Sequence, residues 1–202
     1  MTTVRLAILF STPFAHTALA VRRRRPGLID DGPSKRQPAA AAHVDQTNKA
    51  AVDRVRRHVP EEAEERLKKR FQIINLWRPI SHPAFDWPLA LCDFRSVKPT
   101  ENTFPVSLLY PDREGETMGV KYSPDYQWKY LYGMTPEEIV LIKWSALFSY
   151  LSCIFSEFCS YDSLQDGSVA LFTPHTAFED PNTPSDAPLR ESIEIRALVF
   201  YD

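Results

Sequence analysis

Residues 71–80 read FQIINLWRPI, and this run decides the fold class. It is rich in β-branched and aromatic side chains, which suit the pleated, half-buried surface of a sheet. A short run of this kind, bounded by Pro or by polar turn residues, predicts a β-strand. Before residue 71 the pattern is helical or irregular, and after it the β type dominates. We therefore expect a β-rich structure from this point to the end of the chain.

Six further segments share this character and are mostly separated by Pro, Gly, Asp or Asn. They are PLALCDFRSV at 88–97, FPVSLLY at 104–110, ETMGVKYS at 116–123, YQWKYLY at 126–132, SVALFTPHT at 168–176 and RESIEIRALVFY at 190–201. Seven candidate strands predict a sandwich or a jelly roll. The segment TPEEIVLIK at 135–143 stays ambiguous, because Thr135 and Glu138 form a helix-capping box whereas IVLI suits a strand.

Residues 48–70 predict two helical pieces that act as scaffold. Four apolar residues fall near helical spacing with charged residues on the opposite face: Ala51, Val52, Val55 and Val59. Pro60 suits the first turn of a second helix, and the two glutamates that follow it complement the positive end of a helix dipole. The sequence therefore indicates an α+β protein whose helices flank a β core.

Composition excludes several classes of protein. The chain has 202 residues, of which 44% are hydrophobic and 12% aromatic, so it can bury the core of one domain. A net charge of −2 argues against a general nucleic-acid binder. The three cysteines form neither a CxxC pair nor an even disulfide framework, which favours a reducing, cytoplasmic setting. We expect no stable membrane span.

The N-terminal region carries little information about chemistry. Residues 1–20 faintly resemble a signal peptide, but their apolar run is too short for a good one. Residues 21–40 are rich in Arg, Pro and small residues and predict an extended segment or a loop. The four arginines at 22–25 are interpreted as a solvated charge run, with a polyanion-binding patch as the alternative.

The string HVDQT at 43–47 contains the first candidate metal-binding residues. On their own, His43 and Asp45 are as well explained by a loop or by a helix cap. Together with His175, at the end of a predicted strand, they form the two-histidine, one-carboxylate set that binds Fe(II) and leaves coordination positions open. Arg190 follows on the last strand, and an arginine fork suits the far carboxylate of 2-oxoglutarate.

Several long strings of this chain occur in the same order in a known protein family. HVDQT, FQIINLWRPI, PLALCDFRSV, MTPEEIVLIK and the segment from residue 173 to the end resemble a fungal family of hydroxylases and desaturases. That family includes gibberellin desaturases and the oxidase of aspergillic acid biosynthesis, and it is similar to bacterial cephem methoxylase subunits. The resemblance implies a jelly-roll (double-stranded β-helix) core, incomplete at its N-terminus, with residues 1–21 as a divergent segment and 22–202 as the oxygenase-like domain.

The resemblance also implies a set of site residues. His43, Asp45 and His175 would bind Fe(II), and Arg190 would hold 2-oxoglutarate, with Arg196 as the alternative anchor. Five further residues are candidates for the substrate pocket, although each could equally belong to a buried polar network: Asn75, Trp77, Arg78, Asp93 and Arg95. Tyr126 stands where family members usually carry a His, so it is expected to change the pocket.

The function implied is an Fe(II)- and 2-oxoglutarate-dependent oxidoreductase. It would use dioxygen to hydroxylate or desaturate a small specialised metabolite. One alternative is an inactive, truncated relative or a binding protein without turnover. Another is a metal-dependent enzyme on a jelly roll that does not use 2-oxoglutarate.

Residues 144–160 depart most from the family pattern, which has a single Cys in their place. The span is apolar and aromatic, with Glu157 as its only charged residue. We hypothesise that it derives from a retained intron. A membrane-touching hairpin or a partner-binding helix is the alternative.

Overall fold

The computed structural model describes residues 14–29, 32, 35–142, 161–164, 166 and 169–201. The predicted insert at 144–160 lies outside the described residues. The strands are β1 (Phe14–Arg23), β2 (His43–Val44), β3 (Phe71–Pro79), β4 (Leu89–Cys92), β5 (Thr103–Tyr110), β6 (Arg113–Val120), β7 (Trp128–Tyr130), β8 (Val140–Ile142), β9 (Tyr161–Asp162), β10 (His175–Ala177) and β11 (Glu191–Phe200). The helices are α1 (Asn48–His58), α2 (Ala63–Arg66) and α3 (Pro99–Asn102), with a 3₁₀ helix at Phe94–Ser96.

The strands form two antiparallel sheets. One has the order β1-β11-β3-β8, with β9 also paired to β3. The other has the order β5-β6-β2-β10-β4-β7. Neighbours that are far apart in sequence, such as β2 and β10, mean that the chain crosses repeatedly between the sheets. This is the predicted β-rich jelly roll, in which two sheets face each other across one core.

Each of the seven predicted segments overlaps a strand, but the bounds differ: β5 begins at Thr103, β6 spans Arg113–Val120, and β10 overlaps only the end of its predicted segment. The ambiguous segment at 135–143 contributes β8, so the strand interpretation holds for its last described residues. At the N-terminus, β1 continues through Arg23 and pairs with β11 along its length, so the irregular segment starts later than residue 21. The domain boundary predicted between residues 21 and 22 falls inside this strand and stays a prediction.

The register of β3 against β11 builds a ladder of side chains on the inner face of the first sheet. Four cross-strand pairs follow each other along it: Phe71 with Phe200, Ile73 with Leu198, Asn75 with Arg196 and Trp77 with Glu194. Side chains in a strand alternate between faces, so these pairs project to the same side. The ladder is apolar at one end and becomes polar at its middle.

Helices α1 and α2 cover the apolar end of this ladder. Ala51 and Val55 of α1 and Ala63 of α2 form one cluster with the two apolar pairs of the ladder. The predicted helix face is therefore confirmed. Thr47 caps α1 by accepting a hydrogen bond of 3.2 Å from the backbone N–H of Ala50, which fixes the chain that leads out of β2.

Across the part of the chain that the structure describes, no helix is long and apolar enough to cross a membrane.

We expect Leu198→Ala to lower the free energy of unfolding by about 2–5 kcal/mol, because Leu198 is fully buried and its truncation leaves a cavity. Urea unfolding followed by far-UV circular dichroism measures the change. Leu109→Ala is the matched control, since Leu109 is 85% exposed, and its effect should stay within about 0.5 kcal/mol. Equal losses in the two variants would contradict the described core.

Candidate metal centre

Strand pairing brings the two candidate histidines together. His43 of β2 is the direct cross-strand partner of His175 of β10. The other side of β2 pairs with β6, where His43 lies opposite Gly119. Directly opposed side chains in an antiparallel pair lie close together, and the two imidazole rings are 4.4 Å apart between centroids. The sheet itself therefore sets the spacing of the histidines.

Asp45 completes a compact group with the two histidines. Its Oδ1 lies 3.8 Å from His43 Nε2, and its Oδ2 lies 3.7 Å from His175 Nε2. One ligand atom from each of the three residues falls within 4.8 Å of the others. The capping role that the sequence left open for Asp45 is taken by Thr47. The fold thus brings together three residues that lie in two distant parts of the sequence.

Backbone carbonyls orient both imidazoles. His43 Nδ1 lies 2.8 Å from the carbonyl oxygen of Ala41, and His175 Nδ1 lies 3.0 Å from that of Thr173. A carbonyl oxygen only accepts, so each Nδ1 carries the hydrogen and donates it. In the neutral ring this leaves the lone pair on Nε2, which faces Asp45. Such fixing of the tautomer is the usual support for a histidine that binds a metal.

The charge states also suit metal binding. Burial, followed by the proximity of His175, lowers the pKa of His43 to about 4, so this ring is neutral near pH 7. Burial alone would raise the pKa of the Asp45 carboxyl, but the Arg196 guanidinium and both histidines hold it well below its usual range. One ionised carboxylate and a neutral imidazole are therefore ready as ligands.

A buried polar network lies behind Asp45. Arg196 Nη2 is 2.9 Å from Asp45 Oδ1 and 3.0 Å from Glu194 Oε1. Asn75 Nδ2 donates to Asp45 Oδ2 at 2.5 Å and to Glu194 Oε1 at 3.1 Å, and its Oδ1 accepts from Arg196 Nε at 3.0 Å. Burial and the nearby Asp45 raise the pKa of Glu194. Arg196 is thus engaged by two carboxylates and an amide.

A half-open cleft lies in front of the two histidines. Its lining includes the cationic residues Arg22 and Arg190, the acidic Glu194 and the ring of Trp77, with small side chains between them. Sequence reasoning missed Arg22, which it placed in a solvated charge run. The signal that could have identified Arg22 is the alternation of side chains between the two faces of a strand. In β1, Arg22 is half-buried, whereas the next residue, Arg23, is exposed.

The first predicted anchor, Arg190, is held rigidly at this cleft. Its Nε donates to Ser192 Oγ at 3.2 Å and its Nη1 to the carbonyl oxygen of Trp87 at 2.5 Å. Its guanidinium carbon lies 4.9 Å from the centre of the Trp77 ring. Burial, followed by the charge of Arg22, lowers the pKa of Arg190 to about 9, so the guanidinium is still charged near pH 7.

The corner before β4 supports Arg190 from behind. Asp86 accepts hydrogen bonds from the Arg190 backbone N–H at 2.9 Å and from Arg24 Nη1 at 2.8 Å. Trp87 follows with a φ of 45°, the only positive φ of a non-glycine residue in the described ranges. This conformation is strained for a bulky residue, and strain of this kind concentrates where a structure holds a functional group. Here it places the Trp87 carbonyl against Arg190.

The predicted pocket residues divide by position. Asn75 belongs to the network behind Asp45, and Trp77 lines the cleft. Trp77 Nε1 is buried without a hydrogen-bond partner in the described structure. The cleft lining does not include Arg78, which is exposed on the outer face of β3.

The remaining three pocket candidates also lie outside the cleft lining. Asp93 caps the 3₁₀ helix and pairs with Arg95, whose Nη2 lies 2.6 Å from Asp93 Oδ2. Tyr126 donates to the backbone carbonyl of Lys121 at 2.9 Å and packs against the cluster that contains Val44. The pair of Asp93 with Arg95 is a local polar contact in which Arg95 is exposed, and a pocket role for Asp93, Arg95 and Tyr126 stays a prediction.

Comparison with known proteins gives a consistent picture. A family model described as "Oxidoreductase/YMDC permease-like domain" matches residues 12–200. Aspirochlorine biosynthesis protein N of Aspergillus oryzae is 39% identical over 83% of this chain and 64% of its own length. The hydroxylase/desaturase asaB of Aspergillus flavus is 38% identical over 70% of this chain and 60% of its own length.

A solved structure agrees with these relatives. The iron and alpha-ketoglutarate-dependent endoperoxidase NvfI superposes with a TM-score of 0.76 at 29% identity, over 93% of this chain and 62% of that one. The fold of this chain is therefore similar to that of an iron and alpha-ketoglutarate-dependent oxygenase. The chain belongs to the matched oxidoreductase family, whose relatives are fungal hydroxylase/desaturases and Fe(II)/2-oxoglutarate-dependent dioxygenases. It spans roughly 60% of the length of the relatives described here.

We expect Asn75→Leu to weaken Fe(II) binding by about 10–100-fold, because Asp45 loses the amide that orients its carboxylate. Anaerobic calorimetric titration with Fe(II) measures the affinity. Gln72→Leu is the matched control on the same strand, since Gln72 also donates to a buried carboxylate, that of Asp162, at 2.7 Å. An unchanged affinity in Asn75→Leu would contradict the assigned role.

Proposed function

We propose that this protein is a non-haem iron oxygenase that uses Fe(II) and 2-oxoglutarate to hydroxylate or desaturate a small specialised metabolite. The observation that carries the proposal is the convergence of His43, Asp45 and His175 within 4.8 Å on the jelly-roll core. The relatives named above support the same chemistry. Because the chain spans only part of their length, activity is proposed here for the chain and not transferred from them.

The residues present fit Fe(II). Two imidazole nitrogens and one carboxylate are the donor set of the facial triad, which leaves open positions for other ligands. The carbonyls of Ala41 and Thr173 aim both Nε2 atoms at the space beside Asp45. The polar network holds Asp45 ionised and in place, so little reorganisation is needed for a cation to bind.

Arg190 is the better candidate for the distal carboxylate of 2-oxoglutarate. It lines the cleft together with both histidines, whereas Arg196 is engaged by Asp45, Glu194 and Asn75. Removing Arg196 from that network would leave a buried carboxylate unpaired, which is costly. We therefore assign Arg196 to the support of Asp45 and Arg190 to the cosubstrate.

Iron with bound 2-oxoglutarate would supply the oxidising power, with dioxygen consumed and succinate and carbon dioxide released as the substrate is oxidised. The chain's own residues position the partners of this reaction. Trp77 offers an apolar wall and a buried, unpartnered N–H in the described structure, which suits a ring system with a hydrogen-bond acceptor. A small-molecule substrate, dioxygen and a cytoplasmic location complete the proposal, the last on the cysteine content alone.

We expect anaerobic addition of Fe(II) and 2-oxoglutarate to give a metal-to-ligand charge-transfer band in the visible spectrum. His175→Ala should abolish it, because one of three ligands is lost. His82→Ala should leave it intact; His82 Nδ1 also lies against a backbone carbonyl, that of Pro83 at 3.1 Å, but His82 is absent from the cleft lining.

Three results would contradict the proposal in different ways. A band that survives in His175→Ala would remove His175 from the ligand set. Tight Fe(II) binding without any effect of 2-oxoglutarate would favour a metal enzyme of another class. Absence of both the charge-transfer band and Fe(II) binding would favour a binding protein without turnover.

We expect Arg190→Met to weaken 2-oxoglutarate binding by about 10–100-fold, since the lost interaction is a hydrogen-bonded charge pair. Fe(II) affinity should stay within a factor of two or so of wild type, because Arg190 is not a ligand candidate. Titration of the charge-transfer band gives the first quantity and calorimetry the second. Parallel loss of both affinities would mean that the variant damages the fold instead.

A further inference from the structure

Two guanidinium groups share the cleft. Arg22 lies directly opposite Ser192 in the pairing of β1 with β11. Opposed residues project to the same face, and their diagonal neighbours two residues away are within reach of long side chains. The two diagonal neighbours of Arg22 are Glu194 of β11 and Arg190, which immediately precedes that strand, and all three residues line the cleft.

The three arginines on this face differ in their ionic partners. Arg196 lies between Asp45 and Glu194, at 2.9 Å and 3.0 Å. Within the described ranges, Arg22 and Arg190 form no such ion pair, although Glu194 lines the same cleft. Each donates one Nη1 bond to a neutral carbonyl, Arg22 to Gln37 at 2.8 Å and Arg190 to Trp87 at 2.5 Å. Two like charges facing a half-enclosed cleft repel each other, and an anion between them removes the repulsion.

Both groups keep donors for such an anion. A guanidinium has five N–H donors in a fixed fork. Contacts within the described structure use one donor of Arg22 and two of Arg190, counting the bond from Arg190 Nε to Ser192 at 3.2 Å. Each group is also anchored on one side, so it presents its remaining edge at little entropic cost. Planar forks of this kind match carboxylate oxygens.

We propose that Arg22 and Arg190 together bind the distal carboxylate of 2-oxoglutarate, which makes Arg22 a second cosubstrate anchor supplied by the N-terminal strand. This inference rests on the function proposed above. It gives β1 a direct part in ligand recognition. The next residue of this strand, Arg23, is instead paired with Glu191 at 2.8 Å. A carboxylate on the substrate is the competing source of the same chemistry.

The test compares two ligands that differ only at the distal end. 2-Oxoglutarate carries the distal carboxylate, and 2-oxopentanoate has a methyl group in its place. Both are titrated anaerobically into the Fe(II)-loaded protein, and dissociation constants are read from calorimetry and from the visible band. The variants are Arg22→Met, Arg22→Lys and the matched control Arg23→Met on the same strand.

We expect Arg22→Met to weaken 2-oxoglutarate binding by about tenfold or more and to leave 2-oxopentanoate binding unchanged. Arg22→Lys should fall between Arg22→Met and wild type, because it keeps the charge and loses the fork. Arg23→Met should bind both ligands as wild type does. The loss of affinity would then be specific to Arg22 and to the distal carboxylate of the ligand.

Two outcomes overturn the inference while leaving the proposed function intact. Equal weakening of both ligands would mean that Arg22 only supports the fold. Unchanged 2-oxoglutarate binding in a folded Arg22→Met or Arg22→Lys protein would remove Arg22 from the cosubstrate site and leave substrate recognition as its role. If wild type binds neither ligand, the proposed function itself fails, together with this inference.

Discussion

The buried ion pair between Asp45 and Arg196 is the interaction on which the site depends. It joins the segment after β2, in one sheet, to β11, in the other, with a separation of 2.9 Å. Without Arg196, burial would push the Asp45 carboxyl towards its neutral form, and a neutral carboxyl is a poor ligand. The pair thus sets both the distance between the sheets at this point and the charge of the candidate metal site.

The inner face of β11 organises the rest. Every second residue of this strand, from Ser192 to Phe200, projects into the space between the sheets, where the charged Glu194 and Arg196 are followed by the apolar Leu198 and Phe200. At the apolar end, α1 and α2 pack against Leu198 and Phe200. At the polar end, Arg190 and Glu194 line the cleft. This strand and the residue before it therefore supply part of the core, the support of Asp45 and the proposed cosubstrate anchor.

Rigid support surrounds each group that is proposed to touch a ligand. Backbone carbonyls orient both imidazoles, and the strained corner at Trp87 places a third carbonyl against Arg190. Asp86 ties that corner to Arg24 and to the backbone of Arg190. Such supporting contacts lower the cost of binding because the site is organised before the ligand arrives.

The sequence by itself indicated the strand-rich segments from residue 71 onward, the helix face of α1 and the candidate residues of HVDQT and PHTAF, because alternation and residue type are local properties; it did not indicate β1, β2 or β9. Three matters were decided only by the tertiary structure. They are the proximity of His43, Asp45 and His175, the engagement of Arg196 by Asp45 and Glu194, and the position of Arg22 in the cleft lining. The two-residue period of a strand determines which of its residues share a face, but it does not determine which strand lies opposite. Strand pairing and the packing of the two sheets determine which charged residues come into contact.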